Sequence, residues 1–425
     1  MSRVRLVCAL ACGLTVFVAS RVDAYSVLAH EANVDVVWES AIVPALKTRF
    51  PRATVDDLTG ARAYAYGGCV IQDLGYYPFG SHFFSDLLHY VRSGDFISTL
   101  IADAQDVNEL AFALGALAHY AADSNGHPLA TNRVVPMVYP KLREKFGNRV
   151  TYAQSPKSHV LVEFSFDVVQ VASGVYASEV YHKFIGFEVA MPALERAFRK
   201  TYGLEMKELF SDVDLAIGTY RHAVSSIIPE MTKVAWRDKQ KEILKIAPQT
   251  REATFVFHLT TREYVQEYGD RYAKPKWWAR FFGVLFKLLP KVGPFRPLAF
   301  KVPTPEAEQL FLDSFAETQR RYRESLASLR ARQLTLPNRD LDTGYPSALG
   351  EYSLADKTYE KLVAKLKDDR FANLPPELAE NIVAFFGDVQ VLPGDTSRHR
   401  KRTAQLRRDL ELMTAARSSD SKVAN

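Results

Sequence analysis

The sequence predicts an all-α protein, and three observations predict it. Apolar residues recur at three- and four-residue spacing nearly throughout, helix-start and helix-stop signals bracket those stretches, and no segment shows sustained strand alternation between hairpin turns. With 47% hydrophobic and 12% aromatic residues in 425, the chain can bury a core, which excludes disorder for most of its length. That length exceeds the usual single core, so two lobes or one core with large additions is expected. No internal repeat is visible.

The first 24 residues read as a secretory signal peptide. Arg3 and Arg5 give a positive start, Leu6 to Ala19 an apolar stretch, and Val22-Asp23-Ala24 a small-residue cleavage site. The stretch is short of the roughly 20 residues a membrane-spanning helix needs. An exported protein, periplasmic or secreted and potentially membrane-associated, is therefore expected, beginning at Tyr25. Of the net charge of +5, this segment carries +2 (three arginines against one aspartate), leaving +3. So weak a basic balance argues for no nucleic-acid partner. Two of the three cysteines, Cys8 and Cys12, lie in the same segment. Cys69 alone would remain, so no internal disulfide can tie the fold, and metal is a candidate for doing so.

Next, from His30 to Phe50, Val34, Val37, Trp38, Ile42 and Leu46 mark a helix. Residues 72–78 (Gln72-Asp73-Leu74-Gly75-Tyr76-Tyr77-Pro78) read as a turn-rich loop. Asp106-Val-Asn-Glu109 has the shape of a capping box opening an apolar helix to about Asp123, which Asn125, Gly126 and Pro128 should stop. Ser155-Pro156 reads as an N-cap and first-turn proline for a helix through Val160 and Phe164. Further helical patterns cover roughly residues 188–200, 207–245, 303–333 and 350–367. The organisation predicted is a catalytic helical domain over 25–240 and an additional helical region over 241–394. After it comes a basic segment, 395–425, expected to be a frayed helix and mobile tail. Within the additional region, 274–301 is dense in aromatics, lysine and proline. Trp277, Trp278, Phe281 and Phe282 would suit a helix lying in a bilayer's headgroup region, and equally a helix–turn packed on the catalytic lobe.

Six of the ten histidines fall between residues 30 and 159: His30, His82, His89, His119, His127 and His159. His119 and Asp123 are four apart on one helix, so both point the same way, and His159 with Glu163 repeats the arrangement. A lone pair of this kind is usually a surface hydrogen bond. Here two pairs coincide with an isolated acid, Asp73, and the first is set in apolar sequence, where an unpaired charge is costly. Imidazole plus carboxylate without thiolate is the donor set of catalytic zinc rather than of a structural cysteine site.

At these residues the chain resembles the zinc-dependent phospholipases C, whose all-helical fold with three zinc ions is shared by the single-strand-specific nucleases. Tyr25-Ser-Val-Leu-Ala-His30 resembles the nuclease-type start, in which the amino-terminal residue is itself a ligand. Asp73 and His89-Tyr90 match the loop aspartate and the following histidine, with His82 a rival to His89. The remaining ligands match His119, Asp123, His127, His159 and Glu163. The resemblance covers about residues 25–170. It implies a phospholipase C/nuclease-type helical bundle with additional C-terminal helices and up to three Zn2+. Asp73, His89, His119 and Asp123 would hold one ion, His127, His159 and Glu163 a second, and Tyr25 and His30 a third, with Asp123 bridging. Tyr25 in place of the usual tryptophan, and an Asp123-to-His127 spacing of four where many members have six, depart from the pattern.

What the resemblance implies is a zinc-dependent phosphoric-ester hydrolase of phospholipase C type, with zinc-activated hydroxide cleaving the head group of a phospholipid and Asp73 orienting the attacking water. Peripheral membrane contact would run through Trp277, Trp278, Phe281 and Phe282. The alternatives are a single-strand nuclease or nucleotidase, for which the aromatic platforms and basic groove are less evident, and a non-catalytic envelope protein that zinc stabilises.

Overall fold

A computed structural model of the chain describes residues 27–173, 187–224, 236, 240–241, 243–245, 300–387 and 397–423. Tyr25, the signal segment, and Trp277, Trp278, Phe281 and Phe282 with nearly all of 274–301 lie outside the described residues. Within them every regular element is helical, as the periodicity predicts. Helix α1 (Val27–Val37) passes through a π-helical turn (Trp38–Ile42) into α2 (Val43–Arg49). Helix α3 (Val55–Val70) tightens into a 3₁₀ segment (Ile71–Tyr76), followed by α4 (His82–Tyr90) and α5 (Ser93–Asp103). Then come α6 (Val107–Gly126), a second π turn (His127–Thr131), α7 (Asn132–Val138), α8 (Pro140–Phe146) and α9 (Pro156–Ser173). The rest are α10 (Met191–Tyr202), α11 (Val213–His222), α12 (Pro305–Arg330), α13 (Ser353–Asp368), α14 (Pro376–Phe386) and α15 (Ser397–Val423).

The pair α3 and α6 sets the frame. Small residues let their backbones touch: a Cβ on Gly68 would stand 1.9 Å from the Phe112 carbonyl oxygen, and one on Gly115 1.9 Å from that of Ala65. Ala61 and Ala65 on α3 and Ala111 and Ala116 on α6 are fully buried beside them. This close approach fixes the position of α6, which carries His119 and Asp123, relative to the segment after α3, which carries Asp73.

Local chemistry explains where these helices begin. Thr54 and Asp57 form a reciprocal capping box at the start of α3. At α6 the Asp106 carboxylate accepts from the Glu109 N–H (2.8 Å), as predicted, but Glu109 reaches back to the Gln105 N–H (2.9 Å) rather than to that of Asp106. Two expectations change. The helix does not stop at Asn125–Pro128; it widens into a π turn and continues as α7, and that wider turn is where Pro128, which has no N–H to give the preceding turn, is accommodated. The stretch around Asp73 is not an open loop but a buried 3₁₀ helix, pinned where the Gly75 N–H donates to Ser85 Oγ (2.8 Å).

The C-terminal helices share the core of the N-terminal ones. Tyr322 of α12 donates its hydroxyl proton to the Leu114 carbonyl of α6 (2.8 Å), and Phe311 stacks on Phe166 of α9 at 4.5 Å. Helix α13 joins α14 through Tyr359 and Asn381 (2.8 Å) and α15 through Lys367 and Asp409 (2.8 Å). The basic end of the chain, for which the sequence suggests a frayed helix and a mobile tail, is helical over Ser397–Val423 and buries Leu406 and Met413 in the main core cluster. No helix among the described residues is long and apolar enough to cross a membrane.

Candidate metal centre

Five imidazoles and three carboxylates predicted as ligands converge in the interior: His30 from α1, Asp73 from the 3₁₀ segment, His89 from α4, His119 and Asp123 from α6, His127 from the second π turn, and His159 and Glu163 from α9. All are buried. His82, the rival to His89, is exposed at the first position of α4 and belongs to no ligand cluster among the described residues, so His89 is the residue the fold brings in. Tyr25 precedes the described residues.

Asp123 is the hub. Its Oδ2 stands 3.0 Å from His119 Nε2 and 3.4 Å from His89 Nε2. Its Oδ1 stands 3.5 Å from His30 Nε2 and 3.9 Å from His127 Nε2. The wide turn that begins at His127 lets that ring face the same carboxylate as His119 from the next turn of chain. His30 stacks on His119 with ring centroids 4.2 Å apart. His89 Nε2 also approaches Asp73 Oδ1 (3.5 Å), while Glu163 Oε1 lies 2.8 Å from His159 Nε2 and 3.4 Å from His127 Nε2. Three groups of donor atoms are close enough to grip an ion: His30, His119 and Asp123; Asp73, His89 and His119; and His127, His159 and Glu163. The first two share His119, a closer union than separate sites would require.

The tautomers show why these atoms suit a cation. The Cys69 carbonyl oxygen lies 2.9 Å from His119 Nδ1, and that of Ser85 lies 2.8 Å from His89 Nδ1. A carbonyl can only accept, so each Nδ1 carries a proton and Nε2 is the atom left to ligate a cation. Those two Nε2 atoms stand 3.4 Å apart and face the carboxylates of Asp73 and Asp123. Donors bonded to one tetrahedral zinc at about 2.0–2.1 Å stand about 3.3 Å apart, which is the spacing seen here. Both oxygens of Asp123 and Glu163, both nitrogens of His159, and Asp73 Oδ1 make no hydrogen bond among the described residues. Buried acceptors in such number, facing imidazoles, fit a set of divalent cations.

Protonation agrees with this in part: burial opposes a charge on His89 and His119, but the carboxylates of Asp123 and Asp73 outweigh it and raise the pKa of both rings, so a metal taking their Nε2 atoms displaces protons. Burial drives the pKa of His159 down, and burial together with the neighbouring His119 drives that of His30 well down, so both rings are neutral and ready to ligate. Burial opposes ionisation of Asp123, but His119 and His127 outweigh it and hold the group well below the ordinary carboxylate range. Burial pushes the Glu163 carboxyl up to about 8. At neutral pH a metal entering the third group therefore displaces a proton from Glu163, and its apparent affinity rises with pH until that group is ionised.

A cavity opens on the centre, lined by Tyr76, His89, Tyr90, His127, Tyr152, His159 and Asp342. Asp73 does not line it, although its carboxylate approaches the His89 ring that does. Asp342 was missed by sequence reasoning. It lies far along the chain, in irregular structure with no helical partner four residues away, so no spacing rule points to it.

The family described as zinc dependent phospholipase C matches the chain over residues 37–212. That range takes in Asp73, His89, His119, Asp123, His127, His159 and Glu163; Tyr25 and His30 precede it. The resemblance drawn from ligand order is shown over that range, and the all-α fold is shown with it. No curated protein and no solved structure matches the chain.

Proposed function

We propose that this chain is a zinc-dependent hydrolase of phospholipase C type, cleaving the bond between a phospholipid's glycerol oxygen and its phosphorus. One observation carries the reading: imidazole nitrogens and carboxylate oxygens from six separate elements converge, most of them at tetrahedral-edge spacing, beside a cavity. The description of the matching family names both the metal and the activity class.

The residues divide the work. His30, His89, His119, Asp73 and Asp123 would hold metal on one side of the centre, and His127, His159 and Glu163 on the other, with His89, His127 and His159 lining the cavity. When bound, zinc in such sites activates water at neutral pH and neutralises phosphoryl oxygens. The protein fixes the donors. Backbone carbonyls of Cys69 and Ser85 hold Nδ1 of two rings, so neither ring need turn to offer Nε2 on loading. Tyr76, Tyr90 and Tyr152 border the cavity and offer aromatic faces and hydroxyls to a polar head group. Asp73, beside His89, is assigned to hold metal and, through it, to orient the attacking water.

Purified full-length chain given zinc should release diacylglycerol and phosphorylated head group from phosphatidylcholine or phosphatidylethanolamine vesicles. Chelator should abolish that release and added zinc restore it. Cleavage of single-stranded DNA or RNA without lipid hydrolysis would replace this reading with the nuclease one, and zinc content without any esterase activity would leave a stabilising role alone.

A further inference from the structure

A fourth carboxylate reaches the centre from outside the matched family region. Asp342 is buried, and its Oδ1 stands 3.5 Å from His127 Nδ1 and 3.9 Å from His159 Nε2. Its Oδ2 accepts from the Tyr152 N–H (3.1 Å) and from the Tyr352 hydroxyl.

The turn that carries Asp342 is tied to the elements that carry the ligands. The Leu341 N–H donates to the carbonyl of His89 itself (3.1 Å), and Asn132 Nδ2, just past the second π turn, donates to the Asp342 carbonyl (2.7 Å). Within the turn the Asp340 carboxylate accepts from the Asp342 N–H (2.9 Å). Gly344 closes it at φ +74°, pressed so close to α6 that a Cβ would lie 2.4 Å from the carbonyl oxygen of Ser124, the neighbour of Asp123. Only glycine adopts that backbone without strain and fits that space. A turn held at four points against α4, the end of α6, α7 and Tyr152 fixes the carboxylate in place.

We propose that Asp342 is a positioning residue of the metal centre, whose carboxylate takes the Nδ1 proton side of His127 and so presents the Nε2 lone pair to the ion shared with His159 and Glu163. The proposal rests on reading the cluster as a metal site. Ring orientation favours it over direct ligation by Asp342. His127 Nε2 is the nitrogen that faces Glu163 Oε1 (3.4 Å) and Asp123 Oδ1 (3.9 Å), whereas Nδ1 faces Asp342. A carboxylate on the outer nitrogen of a ligating imidazole holds its tautomer and raises its basicity. Residues beyond 212 thus complete the centre that the family region begins.

The test is zinc binding by the full-length chain, measured by competition against a chromophoric chelator, with the visible spectrum of the cobalt-substituted protein as a second readout. Asp342→Asn should weaken one metal equivalent about 10- to 100-fold and shift the cobalt bands of that equivalent, leaving the others at wild-type affinity. Asp342→Glu, which returns a carboxylate, should recover part of the loss. Tyr345→Phe, on the same turn but with its side chain exposed and outside the cluster, should bind metal as the wild type does. Wild-type affinity and an unchanged cobalt spectrum in Asp342→Asn would overturn the proposal, as would an equal loss in Tyr345→Phe. A wild-type chain that binds no zinc would instead remove the metal reading beneath it.

Discussion

Asp123→Asn should lower phospholipid hydrolysis by about 10² to 10⁴-fold and reduce bound zinc by at least one equivalent per chain, with the helical content retained. The substitution keeps the shape and removes one charge from a carboxylate that four imidazoles face within 3.9 Å. Two of those rings have their Nδ1 protons committed to backbone carbonyls, so they cannot turn to offer an alternative donor. Breaking a buried charge cluster on one side is worth about 3–5 kcal/mol, and that loss expressed in the transition state is the rate change given above. Turnover, zinc by mass spectrometry and far-ultraviolet circular dichroism on one preparation separate the outcomes. Near-wild-type turnover with full zinc content would show that Asp123 is not the hub.

Gly115→Ala should destabilise the fold by roughly 3 kcal/mol or more and weaken zinc binding, although position 115 supplies no ligand. The added methyl would meet the Ala65 carbonyl oxygen at 1.9 Å and the Cys69 nitrogen at 2.9 Å, both backbone atoms that cannot step aside. Relief requires α3 and α6 to separate. Cys69 is the residue whose carbonyl orients His119, so the separation also loosens a ligand. Gly60→Ala is the control. It lies on the same helix α3, its Cβ would meet nothing within 4 Å, and it should be neutral or stabilising by up to about 1 kcal/mol. A Gly115→Ala protein as stable as the wild type in chemical denaturation would contradict the close-approach argument.

Much of the site was legible because its ligands sit on helices. His119 with Asp123, and His159 with Glu163, are four apart, and a period of 3.6 turns such pairs to one side whatever the tertiary structure. The cap at Asp106 was legible for the same local reason. The path of the chain after Asp123 was not. Glycine and proline are stop signals in an α-helix, but a π turn absorbs Pro128 and carries His127 round to Asp123; local propensity holds no sign of that choice. His89 could not be separated from His82 by spacing, since burial decides between them and burial is a tertiary property. Asp342 was invisible because a carboxylate in an irregular turn acquires meaning only from what packs against it, here Tyr152, Asn132 and the end of α6.

The central claim is that these imidazoles and carboxylates form one centre for several metal ions. Anomalous diffraction at the zinc absorption edge, from crystals of the full-length chain grown with zinc, tests it most directly. More than one zinc peak is expected inside the cluster, one against His119 and Asp123 and another against His159 and Glu163. A cluster without a zinc peak, with zinc found only on surface side chains, would contradict the account.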